Sequence, residues 1–275
     1  MSENTSSTTT TVKPHFKLWA KKAEANEVTP QHPHKPFAGW VYGVLFVIFD
    51  IIVVTTLEVG VSASSTRVQL SSPTVGFGFV SKMWTDGNFV FVLNMILVAL
   101  PYLMLLMLLN RFWASSIVML AAGIIVAVIE HFKIEIRYEA ILPADLGFLG
   151  SNTGNMLTFA PAGAHVTILI ALAVFAVLLV PVLALRYADG RKGRMIQTDD
   201  RCLNLTSRLI LLLLPILVFA LYCMHVSTTN SLANKFSRAL GDTPSMWDSV
   251  YDAQRNGPLV AFTRQLDPKI MDKPD

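Results

Sequence analysis

The chain has 275 residues, of which 53% are hydrophobic and 15% charged, with a mean hydropathy of +0.51 and a formal net charge of +3. Soluble domains carry about 25% charged residues, and here the apolar residues gather in long blocks, which excludes a disordered chain, a disulfide scaffold and an ordinary soluble enzyme. A surplus of three positive charges is too small to argue for a nucleic-acid partner, so the composition points to an all-α, polytopic membrane protein.

Residues 1–36 form a polar, basic tail. Residues 2–11 are a Ser/Thr-rich low-complexity run predicted to be disordered. In residues 13–24, Phe16, Trp19, Ala20 and Ala23 recur at helical spacing among Lys17, Lys21 and Lys22. That segment can lie on an anionic leaflet or serve only as a solvated topological signal. No cleavage pattern follows, so the first apolar block reads as a signal anchor.

Five runs are long and apolar enough to span a bilayer: 37–60, 89–109, 112–129, 163–185 and 209–226. Lys and Arg flanking them number twelve on the N-terminal side and four on the other, counted over the tail and connections. This predicts a cytoplasmic N-terminus and, with five spans, a C-terminus on the outer side. Pro101, Pro181 and Pro215 fall within spans and predict kinks.

Polar residues inside the spans are few. Asp50, near the middle of the first, must face protein or water. Either it belongs to a polar cavity or lipid-headgroup path, or it is held by Asn94, Ser115 or Ser116 and joins helices. Glu58 and Glu130 sit near the outer boundary, within expected reach of water. Cys202 and Cys223 are expected at different depths and unbridged. The histidines lack metal-ligand spacing, and no P-loop, GxSxG, dinucleotide or HExxH pattern is present.

The outer segment from 130 to 161 opens with Glu130, Lys133, Glu135, Arg137 and Glu139. A continuing helix would place Lys133 and Arg137 on one stripe and Glu135 and Glu139 on another. Asp145 is positioned to cap a glycine-weakened helix, with Leu146, Leu149, Met156 and Leu157 on one face, which would lie on the outer leaflet; an irregular loop is the alternative. Residues 227–275 read as two short amphipathic helices followed by the start of a linker. The first is capped by Thr243-Pro244 and carries Met246, Trp247, Val250 and Tyr251; Asn256-Gly257 ends it. Pro258 opens the second, with Leu259, Phe262 and Leu266. Trp247, Tyr251 and Phe262 would suit the headgroup region.

Two of these stretches resemble the lipoteichoic acid synthase-like family, the sulfatase-fold phosphoglycerol transferases of bacterial envelopes. Lys133, Arg137, Glu139, Pro143, Asp145 and Leu146 match a family pattern: Lys, three residues, Arg, one residue, Glu-Pro, two residues, Pro, one residue, Asp-Leu. Ala140 departs from it where the family favours proline. Asn256-Gly257, with Lys273-Pro274 further on, is similar to the lead into the family's catalytic domain, although Pro258 stands where an aromatic is common.

The resemblance implies a five-helix membrane domain that anchors and orients an extracellular catalytic domain, its own or a separate one. That domain would hold a threonine nucleophile and manganese, and would transfer glycerol phosphate from phosphatidylglycerol. The 49 residues from 227 to 275 are too short for a sulfatase fold, so no catalytic residue or metal ligand is assigned to this chain. Lys133, Arg137, Glu139 and Asp145 become candidates for a site beside an anionic lipid. A competing reading is a small lipid-translocating or solute transporter using Asp50 and Asn94, against which stands the lack of an internal repeat. A membrane scaffold for a partner enzyme is a third.

Overall fold

The computed structural model describes residues 35–61, 89–145, 163–190, 192–196, 201–245 and 248–266. Five long helices, α1 Gly39–Gly60, α2 Val90–Leu109, α3 Phe112–Arg137, α4 Ala164–Ala188 and α5 Arg201–His225, are each long and apolar enough to cross a membrane. The protein is an all-helical, multi-pass membrane protein. Three short helices follow: α6 Leu232–Ala239, α7 Ser249–Asn256 and α8 Pro258–Gln265.

Two spans are longer than their apolar runs. α3 continues through the charged turns to Arg137, where Tyr138 adopts a left-handed conformation. α5 starts at Arg201, and within its first turns Arg208 donates to the carbonyls of Met107 (2.8 Å) and Leu108 at the end of α2. The helices run on through Pro101, Pro181 and Pro215.

α1, α2 and α3 form the central trio, with α5 against α2 and α4 against α3. The trio encloses an aromatic core in which Phe46 stacks on Tyr102 with ring centroids 4.4 Å apart, and Phe112 meets Tyr42 and Trp113 edge-on. α4 and α5 instead expose Leu169, Leu172, Val177, Leu213 and Leu214, as lipid-facing helices do.

Small residues set the α1–α3 distance. A Cβ on Gly60 would come within 2.7 Å of the Ala127 backbone, and one on Gly123 within 3.0 Å of Val53. Close backbone approach is the usual way membrane helices gain packing without a hydrophobic drive. Gly60→Ala is therefore expected to force the two helices apart and destabilise the fold by ~1–3 kcal/mol, read as a lower thermal midpoint in detergent. An unchanged midpoint would show that the pair can slide.

Candidate functional site

The bundle has two polar ends. One, the Asp189 end, gathers the start of α1, the α2–α3 turn and the α4–α5 connection. The other, the Glu58 end, gathers the end of α1, the last turns of α3 and the helices after α5.

At the Glu58 end the residues of the resembling motif fold into a compact loop. Lys133 donates to the Ala140 carbonyl (2.6 Å) and to Asp145 Oδ2 (2.5 Å). Asp145 Oδ2 also accepts from the Leu142 N–H (2.6 Å). Glu130 accepts from the Ile141 N–H through both oxygens, at 3.1 and 3.2 Å. Lys133 thus ties the loop to its helix, with Glu139 further off at 3.9 Å. Of the two expected charge stripes only the positive one lies on the helix: Lys133 and Arg137 are both within it, while its end at Arg137 leaves Glu139 off its surface and Glu135 alone. Arg137 is exposed and makes no ion pair among the described residues. Leu146 and the expected outer-leaflet helix lie outside the described residues.

The chain after α5 folds back over this end. Ser231 caps α6 by accepting from the Asn234 N–H. Asp248, not Thr243, caps α7, accepting from the N–H groups of Val250 and Tyr251 at 3.0 Å. Thr243 pairs instead with the Asn256 carboxamide, which accepts from its N–H (3.0 Å) and donates to its carbonyl (2.9 Å). Asn256 also donates to Asp252 Oδ1. Beneath them, Arg264 bridges two carboxylates: it donates to Asp252 at 2.6 and 2.8 Å and to Asp242. Asp242 in turn accepts from Ser237.

α7 and α8 are therefore not simply draped on a headgroup layer. Val250, Ala253, Val260 and Ala261 are buried in protein, three of them with Val61 and Ile134 and Val260 with Leu93 and Tyr222. Tyr251 remains exposed, and Trp247 lies outside the described residues.

Asn94 belongs to this docking. Its amide donates to the Val90 carbonyl (3.0 Å) and to the Asn256 carbonyl (2.8 Å). Gly257 lies so close that a Cβ there would collide with the Asn94 carboxamide, and its φ of +92° is one that glycine tolerates best. The Asn-Gly pair singled out in the sequence is thus the point where the tail meets α2.

Asp50 is buried at 2% exposure, and neither Asn94, Ser115 nor Ser116 holds it. Those three bond elsewhere: Asn94 as above, Ser115 to the carbonyls of Leu105 and Arg111, Ser116 to Tyr102 and the Phe112 carbonyl. Among the described residues Asp50 Oδ1 has no hydrogen-bond partner, nor does either oxygen of Glu58. Glu58 and Glu130, expected to reach water, are 0% and 2% exposed. The returning tail packs on the ends of α1 and α3, with Gln254 donating to the Val61 carbonyl (3.0 Å) just beyond Glu58, while Glu130 is held by the Ile141 N–H of its own loop. A buried carboxylate without donors weakens a fold. Glu58→Met is expected to stabilise the protein by ~1–3 kcal/mol in a thermal melt; a loss of stability would mean that the carboxyl group has a partner that holds it.

The Asp189 end was not legible as a site. Asp189 is buried at 2% and accepts from Tyr42 Oη (2.7 Å), Trp113 Nε1 (2.9 Å) and the Gly193 N–H (2.6 Å), with the Phe37 N–H at 3.5 Å. One carboxylate thereby joins α1, α3 and the α4–α5 connection. Its only sequence signal is being acidic in a basic loop.

Among the described residues no three His, Cys, Asp or Glu side chains are grouped to hold a metal ion. No family model, curated protein or solved structure matches the chain.

Proposed function

We propose that this chain is the membrane domain of a lipoteichoic acid synthase-like phosphoglycerol transferase. It anchors an extracellular catalytic domain, its own or a separate one, and orients it at the outer leaflet of a bacterial plasma membrane. The observation that carries this reading is the docking of the tail. After α5 the polypeptide does not leave the bundle but is clamped onto it by Arg264 between Asp242 and Asp252 and by Asn94 on Asn256. A domain continuing past Leu266 would start from a fixed position and direction, which is what a transferase working on a lipid headgroup needs.

The exposed cations Arg111, Arg186, Lys192 and Arg194 at the Asp189 end support a cytoplasmic assignment for that end, and so an extracellular tail. Arg137, exposed and without an acidic partner among the described residues, would meet the phosphate of phosphatidylglycerol. Lys133, held by Asp145 and Ala140, positions the loop beneath it. Manganese and the nucleophile belong to the catalytic domain.

A chimera tests the reading: residues 1–275 replace the membrane part of a lipoteichoic acid synthase-like enzyme in a synthase-depleted strain. Restored glycerol-phosphate polymer is expected. A chimera that inserts, exports an active catalytic domain and still makes no polymer would overturn it. For the lipid contact, Arg137→Ala should weaken phosphatidylglycerol binding in nanodiscs about tenfold, the equivalent of one charge-assisted bond; unchanged binding by a folded variant removes that residue from the proposal.

The oxygens of Asp50 and Glu58 that lack a partner among the described residues favour a second reading, a polar path for a solute or lipid. Transport by reconstituted protein that is lost in Asp50→Asn would support it over the first.

A further inference from the structure

The isolated antiparallel bridge at the Asp189 end pairs Arg111, just before α3, with Arg194 in the α4–α5 connection. Residues directly opposite in an antiparallel pair project to the same face with Cβ atoms about 4.5–5.5 Å apart, and like charges so placed repel. Both arginines are exposed, and neither forms an ion pair among the described residues. Asp189, the one acid described at this end, is buried and already accepts from Tyr42, Trp113 and Gly193.

One backbone bond and the Asn110 carboxamide nevertheless fix this pairing. The Phe112 N–H donates to the Gly193 carbonyl (2.8 Å). Asn110 exchanges two bonds with Ile196, accepting from its N–H (2.9 Å) and donating to its carbonyl (3.0 Å). Gly193 has a φ of +74° and lies where a Cβ would strike Trp113, so the turn in the α4–α5 connection is shaped around that indole. Two exposed arginines set opposite each other on a paired backbone, with no acid between them among the described residues, make an arrangement that gains from an anion shared by both.

We propose that Arg111 and Arg194 form a phosphate-binding site. Guanidinium forks match phosphate oxygens two at a time, and two forks on one face can take one phosphate between them. Depth suggests where the phosphate comes from. Trp40 at the start of α1 and Tyr187 at the end of α4 are 72% and 80% exposed at this same end. Exposed Trp and Tyr of membrane helices sit at headgroup level, so a phospholipid phosphodiester lies at the height of the pair, and a soluble phosphate can reach it from the aqueous side.

The experiment uses the full chain in nanodiscs. In one arm, phosphatidylglycerol is titrated into phosphatidylcholine discs and bound lipid is read by native mass spectrometry. In the other, inorganic phosphate and glycerol 3-phosphate are titrated into phosphatidylcholine discs by calorimetry. Wild type is compared with Arg111→Gln/Arg194→Gln, with Arg111→Lys/Arg194→Lys, and with Arg186→Gln as an exposed arginine outside the bridge.

Retention of phosphatidylglycerol that falls about tenfold in the glutamine pair, less in the lysine pair and not at all in Arg186→Gln supports a lipid phosphate. The same ranking in the soluble arm alone supports a free phosphate or phosphomonoester. Binding absent from both arms, or equally reduced by Arg186→Gln, overturns the site. So does a glutamine pair that melts higher than wild type in every lipid with no effect of added phosphate.

Discussion

Arg264→Met is expected to produce the largest loss of stability of any single substitution in the region beyond α5. The arginine lies between Asp242 and Asp252, all three buried, and its removal leaves two carboxylates facing each other without a cation. Breaking a buried pair from one side costs about 3–5 kcal/mol, chiefly because the remaining charge stays desolvated. The loss should show as a lower thermal midpoint and as early protease cleavage between α5 and Leu266, while the five long helices remain protected. Arg264→Met combined with Asp242→Asn and Asp252→Asn removes the charges together and should recover much of the loss. A single variant that melts with wild type would mean that Asn94, Gln254 and the buried apolar contacts hold the tail without this bridge. In that case the orienting role proposed for this region would lose its main support.

That network also explains which parts of the molecule were legible in the sequence. The five spans were, because an apolar run of about 20 residues has few other uses. Their ends were not: apolarity fades at 129 in α3, yet the helix continues to Arg137 because Glu130 and Lys133 find partners in the loop that follows. The Lys133–Asp145 spacing was singled out as a pattern, and only the fold gives it a reason, a lysine that reaches over its own helix end. Glu58 and Glu130 were placed near water by their distance from the span centre, a rule that ignores whatever lies on top. The end of α1 just beyond Glu58 is met by Gln254 and its neighbours, nearly two hundred residues later in the chain, and no local pattern announces such a contact. The tail helices themselves were readable from period and proline, but their role was not: amphipathic spacing describes a face without saying whether lipid or protein covers it. Asn94 was noticed as a polar residue in a span and paired with Asp50; the fold pairs it with the backbone of Asn256.

Asp189→Ala is the second large effect, at the opposite end. Oδ2 alone accepts from Tyr42, Trp113 and Gly193, so one truncation leaves three donors without an acceptor in a buried place. Hydrogen bonds to a charged acceptor contribute about 1.5–3 kcal/mol each, and a shared acceptor makes them non-additive, so a net loss of ~3–5 kcal/mol is expected. Asp189→Asn keeps an oxygen but loses the charge and should fall between the two. Trp113 gives a second readout: its emission should shift toward that of a hydrated indole in Asp189→Ala and stay near wild type in Asp189→Asn. A variant within ~0.5 kcal/mol of wild type would mean that water or a rearranged backbone replaces the carboxylate. The substitution also reaches the arginine pair. Gly193 is held from one side by Asp189 and from the other by Phe112, and Arg194 is the next residue. Freeing Gly193 should therefore weaken phosphate binding even though Asp189 itself faces away from any anion. Direct electrostatics predicts the opposite, since removing a nearby negative charge should strengthen it. The sign of that change separates a site built by backbone geometry from a general excess of positive charge.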